Sequence, residues 1–232
     1  MANLTDQQRA AWDPWFAGKD FTVDWASRSF AVWAELLAPL KGAAPRILEI
    51  GSHEGRSAIF LLEFLPGSTI ACIDTFMLGS EKRFDANLRG YGKRVTKIAA
   101  RSVSALEHLR AIGRPFDLIY VDGSHRRDDT LTDSLLAWPL LKPGGIMIWD
   151  DYGFEPDWPS ADRPTDAIEA FLNLHAGDFV EIHRDYQLAI RRAAPAGDAG
   201  AAAAGSSDFT GLHVARTPRN LWRLLTGRLP RA

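Results

Sequence analysis

Short apolar runs alternate along the chain with stretches in which apolar side chains recur every three or four positions. The short runs are Arg46–Ile50, Thr69–Ile73, Val95–Ala99, Asp117–Val121 and Gly145–Trp149. Several are apolar at nearly every position, as strands covered on both faces are. Between them Arg56–Leu65, Ser102–Ile112 and Asp128–Leu141 carry helical spacing, the first stopped by Pro66-Gly67 and the last by Lys142-Pro143-Gly144. An earlier helix is expected over Ser27–Leu40, where Phe30, Trp33, Leu37 and Leu40 share one side. This alternation predicts an α/β fold, a doubly wound, Rossmann-like and mostly parallel sheet with helices on both faces. It breaks near the end. After a helix near Thr165–Leu174, the runs Phe179–His183 and Tyr186–Ile190 are separated only by Arg184-Asp185. That gap is too short for a parallel crossover, so the last two strands are expected to form a C-terminal antiparallel hairpin.

The alternating region spans 25–192, the length of one ordinary domain. Residues 1–24 read as an N-terminal extension, and Trp12, Trp15 and Trp25 are expected in the core or in a homodimer interface. Residues 193–208 are almost all Ala, Gly, Ser and Pro without periodicity, which predicts a flexible linker. Residues 209–232 form a basic tail in which Thr217-Pro218 and Gly227 bracket a short helix.

Charge changes this picture more than composition does. The 232 residues have a net charge of −2, but residues 1–215 carry 22 basic against 29 acidic side chains, and the tail adds five arginines. A body this acidic excludes a general nucleic-acid binder. The tail is a candidate for peripheral contact with an anionic membrane or a partner. No apolar run is long enough to span a bilayer, and Met1–Asp6 lacks the basic and apolar regions of a secretion signal, so a cytoplasmic protein is expected. The single cysteine, Cys72, excludes an internal disulfide framework or a thiolate metal cluster and reads as a small buried hydrophobe.

The chemistry begins at Leu48-Glu49-Ile50-Gly51-Ser52-His53-Glu54-Gly55-Arg56-Ser57, a strand, a glycine turn and a helix start. Glycines let a ligand approach the backbone, and a helix N-terminus presents unpaired N–H groups. Asp74 ends the second strand about 20 residues later, where an acid can hydrogen-bond ribose hydroxyls. The spacing Gly51-x-x-x-Gly55 differs from the Gly-x-Gly-x-x-Gly of dinucleotide sites. Glu49 before the turn would repel a pyrophosphate and attract a cationic sulfonium amino acid. The loop therefore favours S-adenosylmethionine over NAD; a tight turn without a ligand is the plain alternative.

On these residues, together with Cys72-Ile73-Asp74, Val121-Asp122-Gly123-Ser124-His125 and Trp149-Asp150-Asp151, the chain resembles the class I S-adenosylmethionine-dependent methyltransferases. Within that class it resembles the methyltransferase-24 family, which is similar to catechol-type and macrocin-type metal-dependent O-methyltransferases. The resemblance covers about residues 25–192. It implies that Glu49, Gly51, His53 and Ser57 line the methionine part of the cofactor, with Ser52 and Gly55 also among its contacts, that Asp74 takes the ribose, and that Arg101 and Ser102 flank the adenine.

Asp122 follows the fourth expected strand and Asp150-Asp151 the fifth, so the parallel sheet brings three carboxylates to the crevice at its C-terminal edge. Close carboxylates repel unless a cation neutralises them. Oxygen ligands favour Mg²⁺, or another hard divalent cation, over zinc. Asp122 counts with the cofactor contacts as well as with the metal ligands. The alternative is one helix cap and two solvated acids. His125, three residues after Asp122, reads as a general base, with a metal ligand or a loop histidine as alternatives. Catechol-type enzymes carry a lysine at that position and an amide at that of Asp151. The extra charge of Asp151 should tighten a metal and reduce its Lewis acidity. Phe154 and Trp158 in the segment Tyr152–Arg163, and the irregular excursion Phe76–Gly92, are candidate borders of the acceptor site.

The expected function is divalent-metal-dependent O-methyl transfer to a hydroxyl of a small molecule such as a sugar, a diol or a secondary metabolite. An NAD-linked oxidoreductase and a non-catalytic cofactor-binding or interaction module are the competing readings.

Overall fold

A computed structural model describes residues 5–77 and 79–194. Most of the expected linker and all of the basic tail, with its short helix, lie outside the described residues. A short helix α1 (Asp6–Trp12) opens the chain and leads into α2 (Phe30–Leu37). Strand β1 (Arg46–Ile50), helix α3 (Arg56–Phe64), strand β2 (Thr69–Asp74), helix α4 (Glu81–Leu88) and strand β3 (Val95–Ala99) follow. Then come α5 (Ser102–Ile112), β4 (Phe116–Val121), α6 (Arg127–Ala137), β5 (Leu141–Trp149), α7 (Thr165–Leu174), β6 (Phe179–Arg184) and β7 (Leu188–Arg192).

The seven strands form one sheet in the order β3-β2-β1-β4-β5-β7-β6. The pairs from β3 to β5 are parallel, and β7 is antiparallel to both β5 and β6. The doubly wound sheet and its closing hairpin agree with the expectation. Strand order reverses between β1 and β4, which opens the crevice where ligands bind in such sheets.

The near-continuous apolar strands bury both faces. Ile47, Ile70, Cys72, Leu118, Tyr120, Ile146 and Ile148 face α2 and α3; Leu48, Ile50, Ile73, Ile119, Val121, Met147 and Trp149 face α5, α6 and α7. Trp12, Trp15, Phe16 and Phe21 pack against the first of these layers, so the N-terminal residues belong to the same core. Trp25 lies outside this core: it is 58% exposed, and its ring is tilted against that of His53 with centroids 5.1 Å apart.

Other departures have local causes. The helix expected over Ser27–Leu40 is a 3₁₀ turn at Ser27–Ser29, then α2, then a 3₁₀ turn at Ala38–Leu40. Likewise α6 gives way to 3₁₀ at Trp138–Leu140. In each final turn a proline, Pro39 or Pro139, removes an N–H and disfavours further α-helix. The excursion Phe76–Gly92 contains a regular helix, α4, whose buried side is Phe84, Asn87 and Leu88. Strand β7 begins at Leu188 rather than Tyr186, because Asp185 N–H closes a turn onto the Gln187 carbonyl at 2.9 Å. Tyr186 and Gln187 are thereby turned toward the crevice.

Candidate active site

Gly51 sits where β1 ends beside β4. Its N–H donates to the Ile73 carbonyl and the Asp122 N–H donates to the Ile50 carbonyl, each at 2.8 Å. A Cβ on Gly51 would lie 1.8 Å from the Asp122 carbonyl oxygen, and its φ is +88°. Only glycine fits this approach of two backbones. The following loop is fastened by Asp74. One carboxylate oxygen accepts the Ser52 and His53 N–H groups at 3.0 and 2.8 Å, and the other accepts the Phe76 N–H at 2.6 Å. His53 is held at φ +44° and Phe76 at φ +53°, backbone strain that these bonds support. The sequence assigned Asp74 to a ribose; in the structure its carboxylate first shapes the loop.

Glu49 is fully buried on β1, between Cys72 and Tyr120 in the sheet register. Both its oxygens and the Ser52 hydroxyl are buried without a hydrogen-bond partner among the described residues. Burial pushes the Glu49 carboxyl above its usual range; Ser52, Ser57 and Cys72 lie beside it and temper the rise without completing a well-formed bond. A ligand cation at the loop would resolve that orphaned acid. Gly55, at φ +84°, starts α3, and Ser57 is buried in its first turn. Arg101 precedes α5 and Ser102 begins it, at the end of β3. The Ser102 hydroxyl bonds Asp133, a buried acid on α6 whose pKa burial pushes up to about 6.

Across the crevice, Asp122, His125 and Asp151 bring one ligand atom each to within 4.8 Å of one another. Asp150 adjoins this group, buried, with its Oδ1 accepting from Gln187 Nε2 at 2.6 Å. Gln187 in turn accepts from Trp33 Nε1 at 2.8 Å. Tyr120 donates to Asp122 at 2.9 Å, and Tyr186 donates to Asp151 Oδ1. Asp151 Oδ2 lies 2.8 Å from His125 Nε2, and its backbone is held at φ +57°. Sequence reasoning missed Trp33, Tyr120, Tyr186, Gln187 and Arg28, whose guanidinium reaches Asp151. None belongs to a motif; Trp33 comes from α2, Tyr120 from β4, and Arg28, Tyr186 and Gln187 from turns.

The electrostatics divide the three acids. Burial and the Asp150 and Asp151 charges raise Asp122 well above the usual carboxylate range, and burial and Asp151 raise Asp150. Burial also acts against Asp151, but hydrogen bonds from His125 and Tyr186 carry it below its usual value. The Asp151 bond raises His125. Charge is thus favoured on Asp151, while burial and mutual repulsion disfavour it on Asp122 and Asp150. A hard divalent cation fits such a donor set.

The methyltransferase-24 family, described as a methyltransferase domain, matches residues 48–152. None of the curated proteins compared matches the chain. Among solved structures, the MycE methyltransferase of the mycinamycin biosynthetic pathway superimposes with a TM-score of 0.61 at 17% identity, over 83% of this chain and 56% of that one. The chain therefore spans little more than half of MycE. An O-methyltransferase from Bacillus cereus gives a TM-score of 0.61 at 18% identity, over 83% of this chain and 93% of that one. TomG, an O-methyltransferase from Streptomyces achromogenes, gives 0.60 at 21% identity, over 84% and 93%. These likenesses concern the fold, and the matched segment runs from the glycine loop through the acidic centre to the end of β5. Residues 48–152 thus match the methyltransferase-24 family, within a sheet of the class I methyltransferase fold.

Proposed function

We propose that this protein transfers a methyl group from S-adenosylmethionine to a hydroxyl oxygen of a small molecule, with a divalent cation held by Asp122, Asp150 and Asp151. The observation that carries the reading is the meeting of Asp122, His125 and Asp151 beside a glycine loop whose buried Glu49 lacks a partner. Two of the structural relatives are O-methyltransferases, from Bacillus cereus with S-adenosylhomocysteine bound and TomG with S-adenosylmethionine; MycE carries Mg and S-adenosylhomocysteine.

Glu49 and Ser52 would receive the ammonium group of the donor, and Gly51 lets it approach the backbone. Asp74 holds the loop in shape, and its second oxygen, with one bond, can still accept from a ribose hydroxyl. Arg101 and Ser102 are assigned to the adenine side. A cation on the three acids would orient the acceptor hydroxyl and lower its pKa. His125 takes the proton. With Nε2–H donating to Asp151, the neutral ring carries its lone pair on Nδ1. S-adenosylmethionine held by the loop would supply the methyl group, its carbon–sulfur bond breaking as the carbon–oxygen bond forms and S-adenosylhomocysteine leaving. Proximity in the crevice supplies much of the rate.

Methyl transfer from labelled donor to a panel of hydroxylated acceptors tests this. Activity should vanish with EDTA, return with Mg²⁺, and fall by about 100-fold in His125→Ala. Full turnover in chelator would remove the metal from the reading. Binding of NADH in place of S-adenosylmethionine would favour the oxidoreductase. Donor binding without transfer to any acceptor would favour a binding module. Among the described residues no helix is long and apolar enough to cross a membrane.

A further inference from the structure

Residues 19–28 form a strap tied to the cofactor loop. Buried Glu54 accepts the Thr22 N–H at 2.6 Å and the Thr22 hydroxyl at 2.8 Å. Asn87 accepts the Asp20 N–H at 2.8 Å and donates to the carbonyls of Asp20 and Glu54 at 2.8 and 2.9 Å. Arg56 donates to the Ser27 hydroxyl at 3.0 Å and pairs with Asp24 at 2.9 Å. Side chains at the end of such a strap are placed before any ligand arrives.

Arg28 is one of them. Its guanidinium lies 3.7 Å from Asp151 Oδ1 and 4.0 Å above the Tyr186 ring. It is the cation that faces both Asp150 and Asp151 from the strap. A separation of 3.7 Å exceeds a direct hydrogen bond, and the side chain is 43% exposed, so its planar donors remain open to a ligand. A small open recess of about 20 Å³ adjoins it, lined by Ser29, His183 and Tyr186, with Asp185 the one carboxylate among its lining residues. Arg28 faces one oxygen of Asp151 and His125 the other. On the His125 side, the Phe154 ring is tilted against the imidazole with centroids 4.6 Å apart, and Trp158, half exposed, packs edge-on against Phe154. Once the acids hold a cation, Arg28 loses its attraction to Asp151 while the strap keeps its backbone in place.

We propose that Arg28 selects the acceptor, pairing with an anionic group, a carboxylate or a phosphate ester, on a planar molecule whose hydroxyl reaches His125. The assignment rests on the methyl-transfer reading above. Charge-assisted, bidentate pairing is what an arginine offers and a neutral donor does not.

The test compares a dihydroxybenzoate, its neutral amide and the matching aryl phosphate in the wild type, Arg28→Gln and Arg28→Lys. With Mg²⁺ and labelled S-adenosylmethionine, the wild type should favour a charged acceptor by about 30-fold in kcat/KM, chiefly through KM. Arg28→Gln should remove most of that preference and Arg28→Lys restore part of it; the better of the two anions names the group. Quenching of tryptophan fluorescence by the same acids, with Mg²⁺ but without methyl donor, reads binding without turnover and should weaken about tenfold in Arg28→Gln. Equal kcat/KM for charged and neutral acceptors, or an equal fall for all three in Arg28→Gln, overturns the assignment and leaves methyl transfer standing. If nothing is methylated, quenching that depends on Arg28 still supports the assignment, and quenching that does not overturns it. Calorimetry showing no binding of S-adenosylmethionine overturns the methyl-transfer reading and the assignment with it.

Discussion

The two halves of the crevice are built by opposite means. In the cofactor half the backbone does the shaping: Asp74 accepts three N–H groups, Gly51 presses against the Asp122 carbonyl, and His53 adopts a left-handed conformation. Its side chains are left wanting, with Glu49 and Ser52 unpartnered. In the acidic half each carboxylate already has a protein donor: Tyr120 for Asp122, Gln187 for Asp150, and Tyr186 and His125 for Asp151. The first half awaits a cationic ligand, whereas the second must exchange protein partners for one. The halves should therefore fail differently.

The largest expected effect is at their junction. Gly51→Ala would place a methyl group 1.8 Å from the Asp122 carbonyl oxygen at φ +88°. The left-handed conformation alone costs about 1–2 kcal/mol, and the overlap forces the two strand ends apart. Affinity for S-adenosylmethionine, measured by calorimetry, should fall by about 100-fold or more, with a lower thermal midpoint. An affinity within threefold of the wild type would show that the junction yields and that the halves are not braced against each other.

Asp122→Asn acts on the acidic half. Mg²⁺ affinity and turnover should each fall by on the order of 100-fold, because the substitution removes a carboxylate ligand. Donor affinity should change by less than about fivefold, since Glu49 and the loop remain. Equal losses of metal and donor would collapse the distinction between the halves. Gln187→Leu is a subtler probe: it leaves Asp150 Oδ1 and Trp33 Nε1 without their partner and should weaken Mg²⁺ by about tenfold, with donor affinity unchanged. Unaltered Mg²⁺ affinity would mean that the Trp33–Gln187–Asp150 chain supports packing alone.

The same contrast explains what was legible in the sequence. The cofactor half is local in the chain: a strand, a glycine turn and a helix start follow one another, so Glu49, Gly51 and Ser57 are readable from spacing. Asp122, Asp150 and Asp151 are readable because every parallel strand ends at one edge. Their partners are not. Tyr120 looks like one more apolar strand position, Trp33 like a core aromatic on α2, and Tyr186 and Gln187 like the first residues of a strand. Long-range register, with 154 positions between Trp33 and Gln187, decides their roles. Arg28 escaped for a related reason, since it was read as part of a longer helix and lies in a 3₁₀ turn at the end of the strap. The helix inside Phe76–Gly92 was hidden by its polar sequence, Glu81-Lys82-Arg83-Phe84-Asp85-Ala86-Asn87-Leu88, which buries only three side chains.

The smallest expected effect concerns an acid beneath both halves. Asp133 lies 3.4 Å from where a Cβ on Gly123 would stand, under the loop after Asp122, and bonds Ser102 on the cofactor side. Burial raises its pKa from 3.8 to about 6, so the folded protein holds the proton more tightly than the unfolded chain does. The sign follows from linkage: stability is greatest below the unfolded pKa, falls as pH rises through the interval between the two values, and is fully reduced above about 6. Asn cannot ionise and escapes that loss. Asp133→Asn should match the wild type near about pH 4 and exceed it near about pH 8 by no more than about 2–3 kcal/mol, a shift of several degrees in Tm. Mg²⁺ affinity should not change, because the residue does not touch the acids, and donor affinity should shift by no more than about threefold through its bond to Ser102. Equal Tm values at both pH values would mean that Asp133 is ionised and fully paired in the folded protein. It would then count as a strut between the halves, built in the side-chain manner of the acidic one.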